Sequence, residues 1–118
     1  MNATQLKELV KKNNGATLTS NGKRATIKKG FIVSEEKHGL ILGLKEFYKL
    51  TDERLNAYIR KAHKLGALLG FWVNENKVYI DFNKHISDKA QAIAYGQEQH
   101  QLAIWSCANE CEIAIKSE

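Results

Sequence analysis

The alternation of apolar and polar residues is most regular over residues 68–86, LLGFWVNENKVYIDFNKHI. Such alternation predicts two β-strands, because successive side chains of a strand point to opposite faces. Glu75 and Asn76 are then a two-residue turn. One face carries six apolar side chains, paired as Val73 with Val78, Phe71 with Ile80 and Leu69 with Phe82. The other face pairs Trp72 with Tyr79 and Gly70 with Asp81. A shift of one residue would mix the faces, so the pattern specifies this register.

A second hairpin is predicted around Asn21-Gly22, a dipeptide typical of a two-residue type I′ turn. Its apolar face pairs Leu18 with Ala25 and Ala16 with Ile27, and its polar face pairs Thr17 with Thr26 and Thr19 with Arg24. Residues 31–34 and 39–47 predict two further strands around a loop at 35–38. The apolar run at 40–42 is typical of a strand covered on both faces.

Three stretches have helical spacing. Asn2 and Gln5 have capping-box spacing before a helix over about 3–12, which the Asn-Asn-Gly at 13–15 ends. A second helix begins after Thr51 and ends at Gly66, and its inner stripe is Leu55, Tyr58, Ile59 and Ala62. A third helix begins at Ser87, and its inner stripe is Ala90, Ile93, Ala94 and Gln97.

The last apolar stretch, QLAIWSCANECEIAI, predicts a hairpin with two alternative registers. A two-residue turn at Ala108-Asn109 clusters Leu102, Ile104, Ile113 and Ile115. A three-residue turn instead clusters Trp105, Cys107, Cys111 and Ile113. The pattern favours the first register only slightly.

The resulting order, α-ββ-ββ-α-ββ-α-ββ, predicts a single α+β domain over residues 1–118. Short connections within each strand pair favour a mostly antiparallel sheet built from successive hairpins and covered by two or three helices. The 118 residues are enough for a modest core without disulfides or metal. No apolar run approaches the roughly 18 residues of a membrane span, and no signal peptide is evident, so we expect a cytoplasmic protein with no membrane partner.

Charge is unevenly spread along the chain, whose net charge is +5. Residues 1–64 carry 14 Lys/Arg and 6 Asp/Glu, a net +8, and the remainder carries −3. Two basic sets are candidates for binding nucleic acid or an acidic protein surface: Lys23, Arg24, Lys28 and Lys29 on the predicted hairpin, and Arg54, Arg60, Lys61 and Lys64 on the second helix. A solvated surface that keeps the protein soluble explains them equally well.

Trp72 and Tyr79 are a candidate aromatic contact, because aromatic side chains on an open face anchor partners or stack on bases. The alternative is that a helix covers this face, which would make them a second core layer. The predicted helices need a surface to pack on, and this favours the alternative.

Residues with catalytic or metal-binding chemistry form no recognisable motif. His85, His100, Cys107 and Cys111 lack the spacing of a zinc site, and nothing places either cysteine beside a histidine base. The glycines do not form a phosphate-binding loop. We therefore expect no cofactor, no metal and no enzymatic activity.

Two stretches, VYIDFNKHISDKAQAIAYGQEQHQLAIWS and TLTSNGKRATIKKGFIVS, resemble small uncharacterised proteins of tailed phages and prophages. The shared pattern is a Tyr-Ile-Asp strand, a Ser or Asp helix start, an Ala-rich helix carrying Gly, then Gln and Ala-Ile-Trp. Here these are Tyr79–Asp81, Ser87-Asp88, residues 90–96, Gln101 and Ala103–Trp105. The pattern usually has an acidic residue after the Trp, where this chain has Ser106.

The resemblance implies an accessory protein of a mobile element, located in the cytoplasm of the bacterial host. Small phage proteins of this size are often inhibitors of host defence, including anti-CRISPR proteins, and they act mostly by binding. The implied partner is a host defence protein or ribonucleoprotein complex. A stand-alone nucleic-acid-binding or regulatory module is the alternative, with the basic residues as its contacts. The net positive charge argues against DNA mimicry, which requires an acidic surface.

Overall fold

The computed structural model describes residues 1–36 and 39–115. In chain order the elements are α1 (Ala3–Asn13), β1 (Gly15–Leu18), β2 (Phe31–Ser34), β3 (Leu40–Gly43), α2 (Leu44–Tyr48), α3 (Asp52–Leu65), β4 (Leu68–Asn74), β5 (Lys77–Ile86), α4 (Lys89–Glu98), β6 (Ala103–Ser106) and β7 (Cys111–Ala114). The strands form one sheet in the order β1-β4-β5-β2-β6-β7, with β3 also on β5. The pairings within it are antiparallel. The predicted α+β class is confirmed.

The hairpin of β4 and β5 has the predicted register. Phe71 lies opposite Ile80 and Trp72 opposite Tyr79. Glu75 and Asn76 both have positive φ, 51° and 64°, as a type I′ turn requires. This hairpin is the centre of the sheet, because β1 pairs along β4 while β2 and β3 pair along the other side of β5.

The prediction of a hairpin around Asn21-Gly22 is wrong. Among the described residues, its two segments share one isolated β-bridge, between Leu18 and Arg24. Only Gly22 has positive φ (77°), so the type I′ turn does not form. Instead the Thr19 hydroxyl accepts hydrogen bonds from the backbone N–H groups of Asn21 (3.3 Å) and Lys23 (3.2 Å), which stabilises a wider loop. Strand β1 pairs with β4 instead.

The strand predicted over 39–47 ends at Gly43, and α2 follows it directly. The two-sided cover predicted for 40–42 is also wrong, since Leu40 and Ile41 are 40% and 59% exposed. The reason is that β3 pairs with β5 alone among the described strands and so lies at a sheet edge. Strands β2 and β3 therefore follow one another along β5 rather than forming a hairpin.

The first two long helices begin and end as predicted, through the capping box of Asn2 and Gln5 and the caps Thr51 and Gly66. The third, α4, differs: Asp88 rather than Ser87 is its N-cap. The residues that α4 buries are Ala92 and Gly96, while Ala90 and Ala94 are exposed. A Cβ at Gly96 would lie 2.5 Å from Ile115 Cδ1, so the missing side chain allows the helix to approach the sheet on that side.

The final hairpin adopts the first of its two registers, with Ile104 opposite Ile113. Ile104 is buried, and Ile113 and Ile115 pack against it under α4. Leu102, which this register was expected to place in the same cluster, is instead 81% exposed.

The helices all pack on one face of the sheet. Phe71 and Phe82 belong to the larger core, which α1, α2 and α3 cover. Val33 belongs to the smaller core under α4, and it lies opposite Lys84, two positions after Phe82. Positions two apart on a strand share a face, so both cores lie on the same side. No helix in the described residues covers the opposite side, which we call the helix-free face.

Candidate binding groove on the helix-free face

Every second side chain of the central strands points to the helix-free face. It carries Gly70 and Trp72 of β4, Tyr79, Asp81 and Asn83 of β5, Ile32 and Ser34 of β2, and Trp105 of β6. Trp72 is 51% exposed. The expectation that a helix covers Trp72 and Tyr79 is therefore wrong, because all the described helices pack on the other face.

A cavity of ≈ 690 Å³ opens on this face, and we call it the groove. Residues of β1 and of β6 both line it, although three strands separate them in the sheet order. The sheet must therefore curl towards this side, as strongly twisted sheets do. The volume is within the range of about 300–1,000 Å³ common for ligand sites.

Two glycines keep the floor of the groove open. Gly15 lies opposite Trp72, and Gly70 lies opposite Asp81. A Cβ at Gly70 would lie 2.8 Å from the Asn83 amide nitrogen, and one at Gly15 would lie 2.7 Å from a backbone oxygen. At Gly15 the neighbour is backbone, so close packing of the sheet requires glycine there, whereas at Gly70 a side chain would displace the Asn83 amide.

Two tryptophans flank the groove, one on each side of β5 and β2. Trp72 lies on β4, and Trp105, 38% exposed, lies on β6 opposite Ile32. Leu102, 81% exposed, adds an apolar side chain to the lining, and apolar exposure continues beyond the cavity at Ile41, which lies opposite Tyr79. Exposed apolar groups that are contiguous on one face mark an interaction surface.

The floor between the tryptophans is polar. Asn83 is only 8% exposed, and its Oδ1 accepts a 2.9 Å hydrogen bond from the Ser34 hydroxyl. Its amide nitrogen lies against Gly70, where no acceptor is found among the described residues. Asp81 likewise has no hydrogen bond or ion pair within residues 1–36 and 39–115. Burial raises the pKa of the Asp81 carboxyl above its usual range. The groove thus offers a donor and an acceptor that no described residue uses.

The Asp81 carboxyl should reduce stability at neutral pH. Its pKa is higher in the folded than in the unfolded protein, so stability falls as pH rises from about 3.9 through the folded value. Asp81→Asn should therefore raise the thermal midpoint relative to wild type at about pH 7, because the asparagine side chain has no charge to bury. The difference should disappear at about pH 3, where the wild-type carboxyl is mostly protonated.

Thermal denaturation at both pH values measures this effect. Glu8→Gln is the matched control, because Glu8 is an exposed carboxylate on α1, on the covered side of the sheet. An Asp81→Asn variant that melts below wild type at neutral pH would contradict the prediction that burial of this charge costs stability.

Ionisable groups in the lining of the groove are acidic or weakly basic: Asp81, Glu112 and His100. His100 Nδ1 lies 2.8 Å from Glu36 Oε2, so it already faces a carboxylate. No described Lys or Arg lines the groove. Lys77 shares the face but lies at the hairpin turn, outside the lining. The groove is thus locally acidic in a protein whose net charge is positive.

The predicted basic residues do not line the groove. Those of the first set, Lys23, Arg24, Lys28 and Lys29, are exposed, as are Arg54, Arg60 and Lys64 of the second. Lys61 differs, because its Nζ lies 4.8 Å from the centre of the Phe82 ring. The loop of the first set approaches α3, since a Cβ at Gly22 would meet the Ile59 side chain at 2.9 Å. A functional role for these residues stays a prediction.

The histidines and cysteines considered for zinc or catalysis lie in different local environments. His85 Nε2 lies 2.7 Å from the Lys29 carbonyl oxygen. Cys107 is buried, and burial raises the pKa of its thiol, whereas Cys111 is exposed. In the part of the chain that the structure describes, no three His, Cys, Asp or Glu residues cluster as metal ligands. The described helices also include none that is long and apolar enough to cross a bilayer.

Of the residues on the helix-free face, Trp72 and Tyr79 were candidates from the sequence, whereas Trp105, Asp81 and Asn83 were not. The alternation of β5 did contain the signal, since Tyr79, Asp81 and Asn83 follow one another on the face opposite the apolar residues. Trp105 was not assigned because its hairpin had two registers. The curl that unites β1 and β6 around one cavity has no signature in the sequence.

Fold and groove together define an α+β protein with an open, concave sheet face. No family model, no curated protein and no solved structure matches this chain.

Proposed function

We propose that the protein acts by binding, with the groove as its contact surface, and that its partner is a protein of a host defence nuclease complex. The observation that carries the binding mode is the pair of exposed tryptophans around a polar groove that no described helix covers. Tryptophans in such positions are the residues most enriched among energetically dominant interface contacts. The resemblance to phage proteins supports the class of partner.

The local charge favours a protein partner over a nucleic acid in the groove. Affinity for a phosphate backbone comes from Lys and Arg, and among the described lining residues there are none. Asp81 and Glu112 would repel phosphates. Partner proteins offer cationic and hydrogen-bonding groups that suit such a lining.

A plaque assay tests the proposed function. Bacteria with and without a CRISPR nuclease or another defence nuclease would express the protein, and phage plating would be compared between them. Plating should be restored on the defended host and unchanged on the undefended one. Plating that stays restricted on every defended host of the panel would overturn the anti-defence proposal.

A second candidate, a stand-alone nucleic-acid-binding module, is favoured by the seven exposed basic residues of the two sets. Filter binding across salt concentrations separates it from the first. Binding that weakens steeply with salt, and loses about one unit of slope for each phosphate contact removed, would support it. Absence of binding at about 50 mM salt would exclude it.

A further inference from the structure

The space above Gly70 forms a small subsite in the groove. Gly70 contributes no side chain and lies between Thr17 on β1 and Asp81 on β5. Trp72 follows two positions later on the same face and is the diagonal neighbour of Asp81. Diagonal neighbours are about 7–8 Å apart, which an aromatic side chain spans. An indole and a carboxylate therefore border one space, with the Asn83 amide nitrogen at its base.

We propose that this subsite receives an arginine side chain from an extended segment of the partner protein. A guanidinium is planar, so it stacks on Trp72 while its N–H groups donate to the Asp81 carboxylate. The described lining residues supply no Lys or Arg to neutralise that carboxylate. Lysine would satisfy the charge, but its ammonium group neither stacks nor donates two parallel hydrogen bonds.

A protein segment fits the surroundings better than a free small cation. The unused Asn83 amide donor matches a backbone carbonyl, which a peptide supplies beside its side chain. The exposed apolar surface also extends past the cavity to Ile41, farther than a small molecule covers. This inference rests on the proposed function, since it specifies what the partner inserts into the groove.

The test is a titration of the ¹⁵N-labelled full chain with an acetylated, amidated Gly-Arg-Gly peptide, followed by NMR. The chain has two tryptophans, so it gives two indole N–H signals. The Trp72 signal should shift on titration, and Trp72→Phe assigns it. The same peptide with citrulline, which keeps the shape but lacks the charge, should shift it far less. Asp81→Asn should weaken binding of the arginine peptide roughly tenfold or more, and Glu8→Gln should not.

Equal shifts with arginine and citrulline peptides, or none at Trp72, would overturn the inference. Spermidine serves as the free small cation. If it binds at Trp72 more tightly than the peptide and also depends on Asp81, the ligand of the subsite is a free cation and not a protein segment. Failure here is distinguishable from failure of the proposed function. In the first case, Trp72 would still be needed in the plaque assay; in the second, wild type itself would give no protection.

Discussion

Phe71→Ala should lower the free energy of unfolding by about 3–5 kcal/mol, the usual cost of emptying a buried aromatic site. Phe71 is 2% exposed at the centre of β4, and its ring centroid lies 6.0 Å from that of Phe47 on α2. The cavity that the truncation leaves would therefore lie between β4 and α2, where the sheet packs on a helix. Because domains are stable by only about 5–15 kcal/mol, this variant should be partly unfolded at 37 °C. Urea denaturation followed by circular dichroism measures the loss.

Trp72→Ala is the matched control for that variant, since it removes an aromatic side chain one position away but on the opposite face. Its cost should be about 1 kcal/mol or less, because half of the side chain is already in water. Similar losses for both variants would mean that the two faces of β4 are equally buried, contrary to the fold described above.

Replacing either Trp72 or Trp105 with alanine should remove most of the protection of phage from the defence nuclease, while the fold remains intact. Truncation of a central interface tryptophan typically costs about 2 kcal/mol or more, which is roughly a 30-fold loss of affinity. We expect Trp72→Ala and Trp105→Ala each to reduce phage plating on the defended host towards the level without the protein. The thermal midpoints of both variants should stay within a few degrees of wild type.

Tyr48→Ala is the control for the tryptophan variants. Tyr48 is an aromatic residue with 38% exposure, the same as Trp105, but it lies on α2, on the covered side of the sheet. It should protect as well as wild type. Loss of protection with Tyr48→Ala but not with the tryptophan variants would place the contact surface among the helices.

The elements that local chemistry determines were predictable from the sequence. Two strands with apolar residues at every second position and a turn of two residues between them have one consistent register, so β4 and β5 were assigned residue by residue. The capping residues likewise made the ends of α1 and α3 predictable. In these elements the signals lie within about twenty residues of each other.

Pairings between distant segments were not predictable in the same way. Strand β1 has an Asn-Gly sequence after it, yet its partner is β4, about fifty residues later. The apolar run at 40–42 reads as a buried strand, but its environment depends on which strands lie beside it, and it is at an edge. The inner stripe of α4 was misplaced because Gly96 packs more closely on the sheet than a larger residue can.

The groove could not be predicted from the sequence for the same reason, because it depends on how distant segments pack. Trp72 was a candidate from its position on the hairpin, but whether a helix covered it depended on where the helices pack. The structure places all the described helices on one face, and this leaves Trp72 and Trp105 in one groove. Charge along the sequence pointed to the basic half of the chain, whereas the groove draws its carboxylates, Asp81 and Glu112, from the acidic half.

The claim that the groove, and not the basic surface, contacts the partner is tested most directly by comparing both in one plaque assay on a defended host. One arm carries Trp72→Ala/Trp105→Ala, and the other arms carry Arg60→Glu/Lys64→Glu and Arg24→Glu/Lys28→Glu, all at exposed positions. We predict that the tryptophan variant loses protection and that both charge-reversed variants keep it. Full protection by the tryptophan variant, with loss in the charge-reversed ones, would contradict the account and assign the contact to the basic residues.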